Sequence, residues 1–146
     1  MDEQALAELA GRTMFERDPA SRALGMRLDA IGPGYARMTM PVRADMINGH
    51  AVCHGGYVFM LADSAFAFAC NSHNHSTVAA GCSIEFLAPA RAGDLLAAEA
   101  REQTLSASGK TGVYDIRVVD QDGRLVALVR GKSHRIGGQV ADASPS

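Results

Sequence analysis

The 146-residue sequence predicts one α+β domain in which an antiparallel β-sheet curls around a buried α-helix. Three observations carry that prediction. The apolar periodicity runs helix, two strands, helix, then four strands, without the strand–helix alternation of a parallel sheet. The second helical stretch, Tyr57 to Cys70, is apolar on every side, so the rest of the chain should enclose it. Ser-Gly and Asp-Gly signals separate the last three strand-like runs, and such turns close antiparallel hairpins.

The elements follow in order. Asp2 to Asp18 reads as an amphipathic helix, with Ala5, Leu6, Leu9, Thr13 and Met14 on one side, and Pro19 ends or closely follows it. From Leu24 the period becomes two. Met26, Leu28 and Ala30 alternate with Arg27, Asp29 and Ile31, Gly32-Pro33-Gly34 turns the chain, and Ala36, Met38 and Met40 alternate with Arg37 and Thr39 up to Val42. Arg43 to Gly49 is a loop. The long helix follows His54-Gly55-Gly56, its Ala, Met and Leu content favouring helix over strand. Strands are expected at Val78–Leu87, Asp94–Thr104, Gly112–Val119 and Leu125–Ile136. The domain spans 1–138, and the small polar residues 139–146 are expected to fray.

Composition narrows the function classes. At 47% hydrophobic and 21% charged residues the chain can bury a core and is not a disordered polypeptide. Lys plus Arg number 14 against 16 Asp plus Glu, leaving no basic excess for nucleic acid. The apolar helix is interrupted by Asp63 and falls short of the ~20 residues a membrane span needs. The first ten residues, MDEQALAELA, are acidic where an export signal is basic. Three cysteines, Cys53, Cys70 and Cys82, form an odd, sparse set suited to a reducing compartment. A cytoplasmic protein is expected.

Asp63 is the residue most at odds with its surroundings. An ionised carboxylate withdrawn from water must be paired, protonated or part of a site. Either it pairs with an arginine or reaches solvent, or it is a desolvated base or nucleophile. Upstream, Gly55 and Gly56 leave the first N–H groups of the helix unobstructed, where the dipole favours an anion or a developing oxyanion. Together these features point to acyl chemistry, in which a carbonyl oxygen gains charge. Eight residues of helix place Gly55 and Asp63 ~12 Å apart along the axis. One carbonyl cannot use both on a single chain, but two antiparallel helices related by a two-fold axis can share a site.

Other residues carry alternatives. His50 and His54 have the i, i+4 spacing of zinc ligands, yet glycines flank them and no third ligand has a recognisable spacing, so no metal is expected. Cys53 beside His54 would suggest a thiol nucleophile, but sequence neighbours seldom face each other, and an inert buried thiol fits better. Arg130, Lys132 and His134 share one strand face, and Lys110 sits at a turn tip; either these are solvated charges or some contact the phosphates of a nucleotide-bearing substrate. Phe59, Phe66 and Phe68 either line a pocket for a ring or belong to the core.

The segments NGHAVCHGGYVFMLADSAFAFACNS, CSIEFLAPARAGDLL, SGKTGVYDIRVVDQDG and VALVRGKSHRIGG resemble the PaaI-type phenylacetyl-CoA thioesterases of the hotdog-fold superfamily, over roughly Ala23 to Gly138. The N-x6-G-x7-D arrangement of Asn48, Gly55 and Asp63 carries most of that likeness. The resemblance implies a sheet wrapped round the helix, dimers with a continuous sheet that pair into homotetramers, and hydrolysis of an acyl-CoA substrate without a cofactor, in phenylacetate catabolism. By position it implies that Asp63 activates water or attacks the thioester carbon. Gly55 of the other subunit would polarise the carbonyl, Asn48 would orient thioester or water, and His54 would support the loop. Gly56, Lys110, Arg130 and Lys132 are expected to bind substrate. A hydratase using His54 with Asp63, or an acyl-CoA-binding module without turnover, are the alternative readings.

Overall fold

A computed structural model describes residues 1–143. Helix α1 (Glu3–Glu16) is capped by the Asp2 carboxylate, which accepts from the Ala5 N–H at 2.7 Å. Pro19 closely follows this helix, whose last residue is Glu16. With Asp18 as N-cap it opens a second short helix, α2 (Pro19–Ala23), because proline at a first helical position gives up only an N–H that has no partner there. Strands β1 (Arg27–Gly32) and β2 (Tyr35–Pro41) form the expected hairpin. A 3-10 turn, Ala44–Met46, precedes α3 (Gly55–Cys70). Strands β3 (His75–Phe86), β4 (Leu95–Leu105), β5 (Thr111–Val119) and β6 (Leu125–Gln139) complete the chain.

The six strands make one antiparallel sheet in the order β1-β2-β4-β5-β6-β3. Helix α3 touches all of them, chiefly β2, β4 and β5, so the sheet bends around it as the hotdog likeness implies. Alternation works as expected along β2, where Ala36, Met38 and Met40 are fully buried. It fails along β1. A bulge between Leu28 and Ala30 resets the pleat, so Ile31, not Ala30, packs with Leu28 against the core. Phe66 and Phe68 belong to the core, Phe66 against Tyr114 and Phe68 against Phe15, while Phe59 is half-buried at its edge. Gly131 makes room for Phe66, since a Cβ there would lie 2.6 Å from the ring.

The enclosure of α3 is incomplete, and this corrects the expectation that the rest of the chain encloses it. Gly56 is exposed, and Phe59, Met60, Asp63 and Ala67 are only half-buried. These positions recur every three or four residues, so they form one stripe of the helix. The end of the chain also departs from expectation. β6 runs to Gln139, and Ala141 exchanges two hydrogen bonds of 2.9 Å with the Asn74 side chain, which holds 139–141 in place. Ser144, Pro145 and Ser146, the rest of the expected frayed tail, lie outside the described residues. Among the described residues, no helix is long and apolar enough to cross a membrane.

Candidate active site

The loop entering α3 is built by Asn48. Its backbone N–H donates to Val52 O at 2.8 Å, and its Oδ1 accepts from the N–H of His50 (2.9 Å) and Val52 (3.3 Å). Ala51 turns the chain at φ 63. His50 and His54 therefore do not stand on successive helical turns, and their spacing does not put them on one face. Next, the His54 N–H donates to Met46 O at 2.8 Å and fixes the residue as N-cap of α3. Its Nδ1 accepts from the Gly56 N–H at 3.1 Å, so the neutral ring carries its proton on Nε2. Gly56, expected to contact substrate, has its N–H committed to this cap. The Gly55 N–H has no acceptor among the described residues. One donor at the positive end of a 16-residue helix is thus left free.

That donor borders a cavity of about 420 Å³ whose lining includes Asn48, Val52, Gly55, Val58, Phe86 and Val126. The Oδ1 of Asn48 is spent on the loop, while its Nδ2 hydrogens have no partner among the described residues. Asn48 and Gly55 thus offer two free donors to one apolar hollow, a pattern suited to a carbonyl oxygen that becomes more negative. Cys53 also lies here, but burial pushes its thiol up, with the Asp94 charge adding to the effect. Burial pushes Cys70 up to about 12. Neither sulfur is a ready thiolate.

Asp63 stands two turns further along α3, on the uncovered stripe. No hydrogen bond or ion pair engages it among the described residues, so no arginine holds it. Burial raises its pKa, with no compensating cation. Its charge is felt by Cys70 and by Cys82 on β3. The carboxylate therefore sits on the side of the helix where β3 forms the edge of the sheet.

The expected substrate cations lie elsewhere on this chain. Arg130 and Lys132 alternate with the buried Val129, Gly131 and Ser133, so both point away from α3. Arg130 is bound through Nε and Nη2 to Asp115, at 2.7 and 2.8 Å, and its Nη1 faces no partner among the described residues. It borders a hollow of about 650 Å³ on the outer face of the sheet, lined by none of Asn48, His54, Gly55 or Asp63. Lys110 is exposed at the β4–β5 turn. The structure gathers Asn48, His54 and Gly55, sets Asp63 apart on the same helix, and separates the three cations from them. Phe86, whose ring borders the cavity, escaped the sequence reading because a strand-end aromatic looks like any other core residue.

The fold and this geometry can be set beside known proteins. A family model described as the thioesterase superfamily matches residues 50–127. The chain is 51% identical over 127 residues to the acyl-coenzyme A thioesterase PaaI of Escherichia coli strain K12, covering 87% of this chain and 89% of that protein. It is 37% identical over 123 residues to a putative esterase of Archaeoglobus fulgidus, covering 84% and 79% respectively. The solved structure of the E. coli PaaI protein from the phenylacetic acid degradation operon superposes with a TM-score of 0.91 at 47% identity, over 94% of this chain and 99% of that one. With a matching family model, a closely similar relative and the same wrapped-helix architecture, the chain belongs to the thioesterase superfamily of hotdog-fold hydrolases.

Proposed function

We propose that the protein hydrolyses acyl-CoA thioesters, phenylacetyl-CoA or its ring-hydroxylated relatives foremost, at sites shared between two subunits. One observation carries the reading: an unpaired carboxylate and an unpaired amide on the same helix, ~12 Å apart, beside an open sheet edge. Strand β3 is that edge. Its twelve residues include one carboxylate, Glu85, and no Lys, Arg or Pro, and residues 78–83 are exposed on both faces. Such an edge is a template for another strand. The opposite edge, β1, is six residues long, bulged, charged and backed by α1. Pairing β3 with its two-fold copy makes one continuous sheet and brings the two uncovered helix stripes together. Gly55 then meets Asp63 of the partner subunit. Two such dimers form the tetramer that the resemblance implies.

In this arrangement the Gly55 N–H and Asn48 Nδ2 hold the thioester oxygen. The partner's Asp63 takes a proton from water, whose oxygen bonds to the carbonyl carbon while the C=O pair moves onto the held oxygen. Collapse breaks the C–S bond, and the thiolate leaves and collects a proton, giving acid and CoA. Attack by the carboxylate itself would pass through an anhydride, and label on Asp63 after a single turnover in H2(18)O would mark that route, since water opening the anhydride at the Asp63 carbonyl leaves its oxygen there. CoA thioesters and three free thiols fit a cytoplasmic setting. A hydratase role fits less well, because His54 is the cap of α3 and its Nδ1 is spent on the Gly56 N–H.

Two measurements test the reading. Thiol release from phenylacetyl-, benzoyl- and medium-chain acyl-CoA should show turnover; none with any of them would overturn the function. Gly55→Pro removes the N–H at a position where helices accept proline and presses its ring on Phe86, and Asp63→Asn removes the base. Each variant should be inactive alone. Co-assembled, they should recover roughly a quarter of the wild-type rate, since half of the dimers are mixed and each mixed dimer has one intact site. No recovery on mixing refutes the shared site.

A further inference from the structure

The cavity beside Gly55 has a wall that the hydrolytic chemistry leaves unused. Val52, Val58, Leu87 and Val126 make it apolar, and the Phe86 side chain closes one side. Phe86 ends β3, and its ring lies so near Gly55 that a Cβ there would sit 2.9 Å from Cζ and 3.1 Å from Cε1. Despite this contact Phe86 is 56% exposed and Leu87 53% exposed. Packing within the chain does not account for that much apolar surface in water beside a free polar donor. A carbonyl oxygen held by the Gly55 N–H lies ~3 Å from that nitrogen. The group attached to the carbonyl must then begin within a few ångströms of the Phe86 ring.

We infer that Phe86 determines acyl specificity by packing against the aromatic ring of an arylacyl thioester whose carbonyl is held at Gly55. This rests on the thioesterase reading above and deepens it. The cavity of about 420 Å³ lies within the ~300–1,000 Å³ of small-molecule clefts, with room for a ring and its thioester. Two rings in offset or edge-to-face contact gain more than their buried area alone supplies, which an aliphatic chain cannot match. Glycine at 55 serves both ends of the substrate: it offers an unobstructed N–H and lets the ring approach the first turn of α3.

The test compares kcat/KM for phenylacetyl-CoA and hexanoyl-CoA in the wild type, Phe86→Leu and Phe86→Tyr, with the oligomeric state of each measured by size-exclusion chromatography. Phe86→Leu should lower the phenylacetyl-to-hexanoyl ratio roughly three- to tenfold while the oligomeric state holds. Phe86→Tyr should keep the ratio. An unchanged ratio in Phe86→Leu overturns the inference. So does a parallel fall for both substrates with loss of assembly, which would make Phe86 a subunit contact only. A wild type that cleaves hexanoyl-CoA but shows no preference for the aryl substrate refutes the specificity role and spares the thioesterase reading. A wild type that cleaves neither removes both.

Discussion

The two ends of α3 treat polar groups in opposite ways. At the C-terminal end every polar side chain is spent on structure. Asn71 Nδ2 donates to Ala67 O and Thr77 O while its Oδ1 accepts from the Thr77 N–H; Ser72 Oγ donates to Ala69 O and accepts from the Gly34 N–H. Glu102 joins the ring of His73 at 2.8 Å to the hydroxyl of Tyr114 at 2.9 Å, and burial together with that carboxylate holds the phenol neutral. At the N-terminal end the Gly55 N–H and Asn48 Nδ2 are unspent, and so is the Asp63 carboxylate at mid-helix. Satisfied groups add stability, while unsatisfied ones hold binding capacity at a cost in stability. The contrast locates the site on a helix whose composition is otherwise uniform.

Substitutions at the two ends should therefore fail differently. Asp63→Asn should cost about 10²–10⁴-fold in kcat, read by thiol release, with no loss of Tm at pH 7. The sign follows from its raised pKa. A carboxyl group harder to ionise when folded destabilises the fold once it is charged, so removing the charge should raise Tm at neutral pH. That gain should vanish below about pH 3.9, where the unfolded group is also protonated. By the same shift, the acid limb of the wild-type activity profile should lie above the ordinary aspartate value.

Asn71→Ala should give the mirror image. Losing three hydrogen bonds, two of them buried, should cost about 3 kcal/mol by urea denaturation, while the folded fraction turns over normally. His54→Ala falls between the two. Losing the cap should cost about 1 kcal/mol and lower kcat more than it raises KM, because the Gly56 N–H is released beside the donor at Gly55. Arg130→Ala should be the mildest. Its carboxylate partner is exposed with it on the outer face, so Tm and KM should change by less than about twofold in the corresponding constants. A large rise in KM would place Arg130 in the substrate site, the role expected of it.

Much of this contrast is legible in one dimension. Asp63 stands out because it is a lone charge in a run of apolar residues, and Gly55-Gly56 because two poor helix formers open a helix. The β2 alternation and the last hairpins could be read because periodicity and turn chemistry are local. What escaped depends on neighbours distant in sequence. The β1 bulge is seen only against β2, the hold on Ala141 only against Asn74, and the pairing of Arg130 only against Asp115. Phe86 joins the site because the end of β3 reaches the start of α3.

The element order, the identity of the stranded acid and the glycine opening of its helix are legible in one dimension, because composition and short-range spacing are written along the chain. Only the tertiary structure decided which of several polar groups remain free, which face of α3 stays uncovered, and that β3 is the edge beside it. Those are questions of partnership, and hydrogen bonds between residues dozens of positions apart are settled by packing, not by local preference.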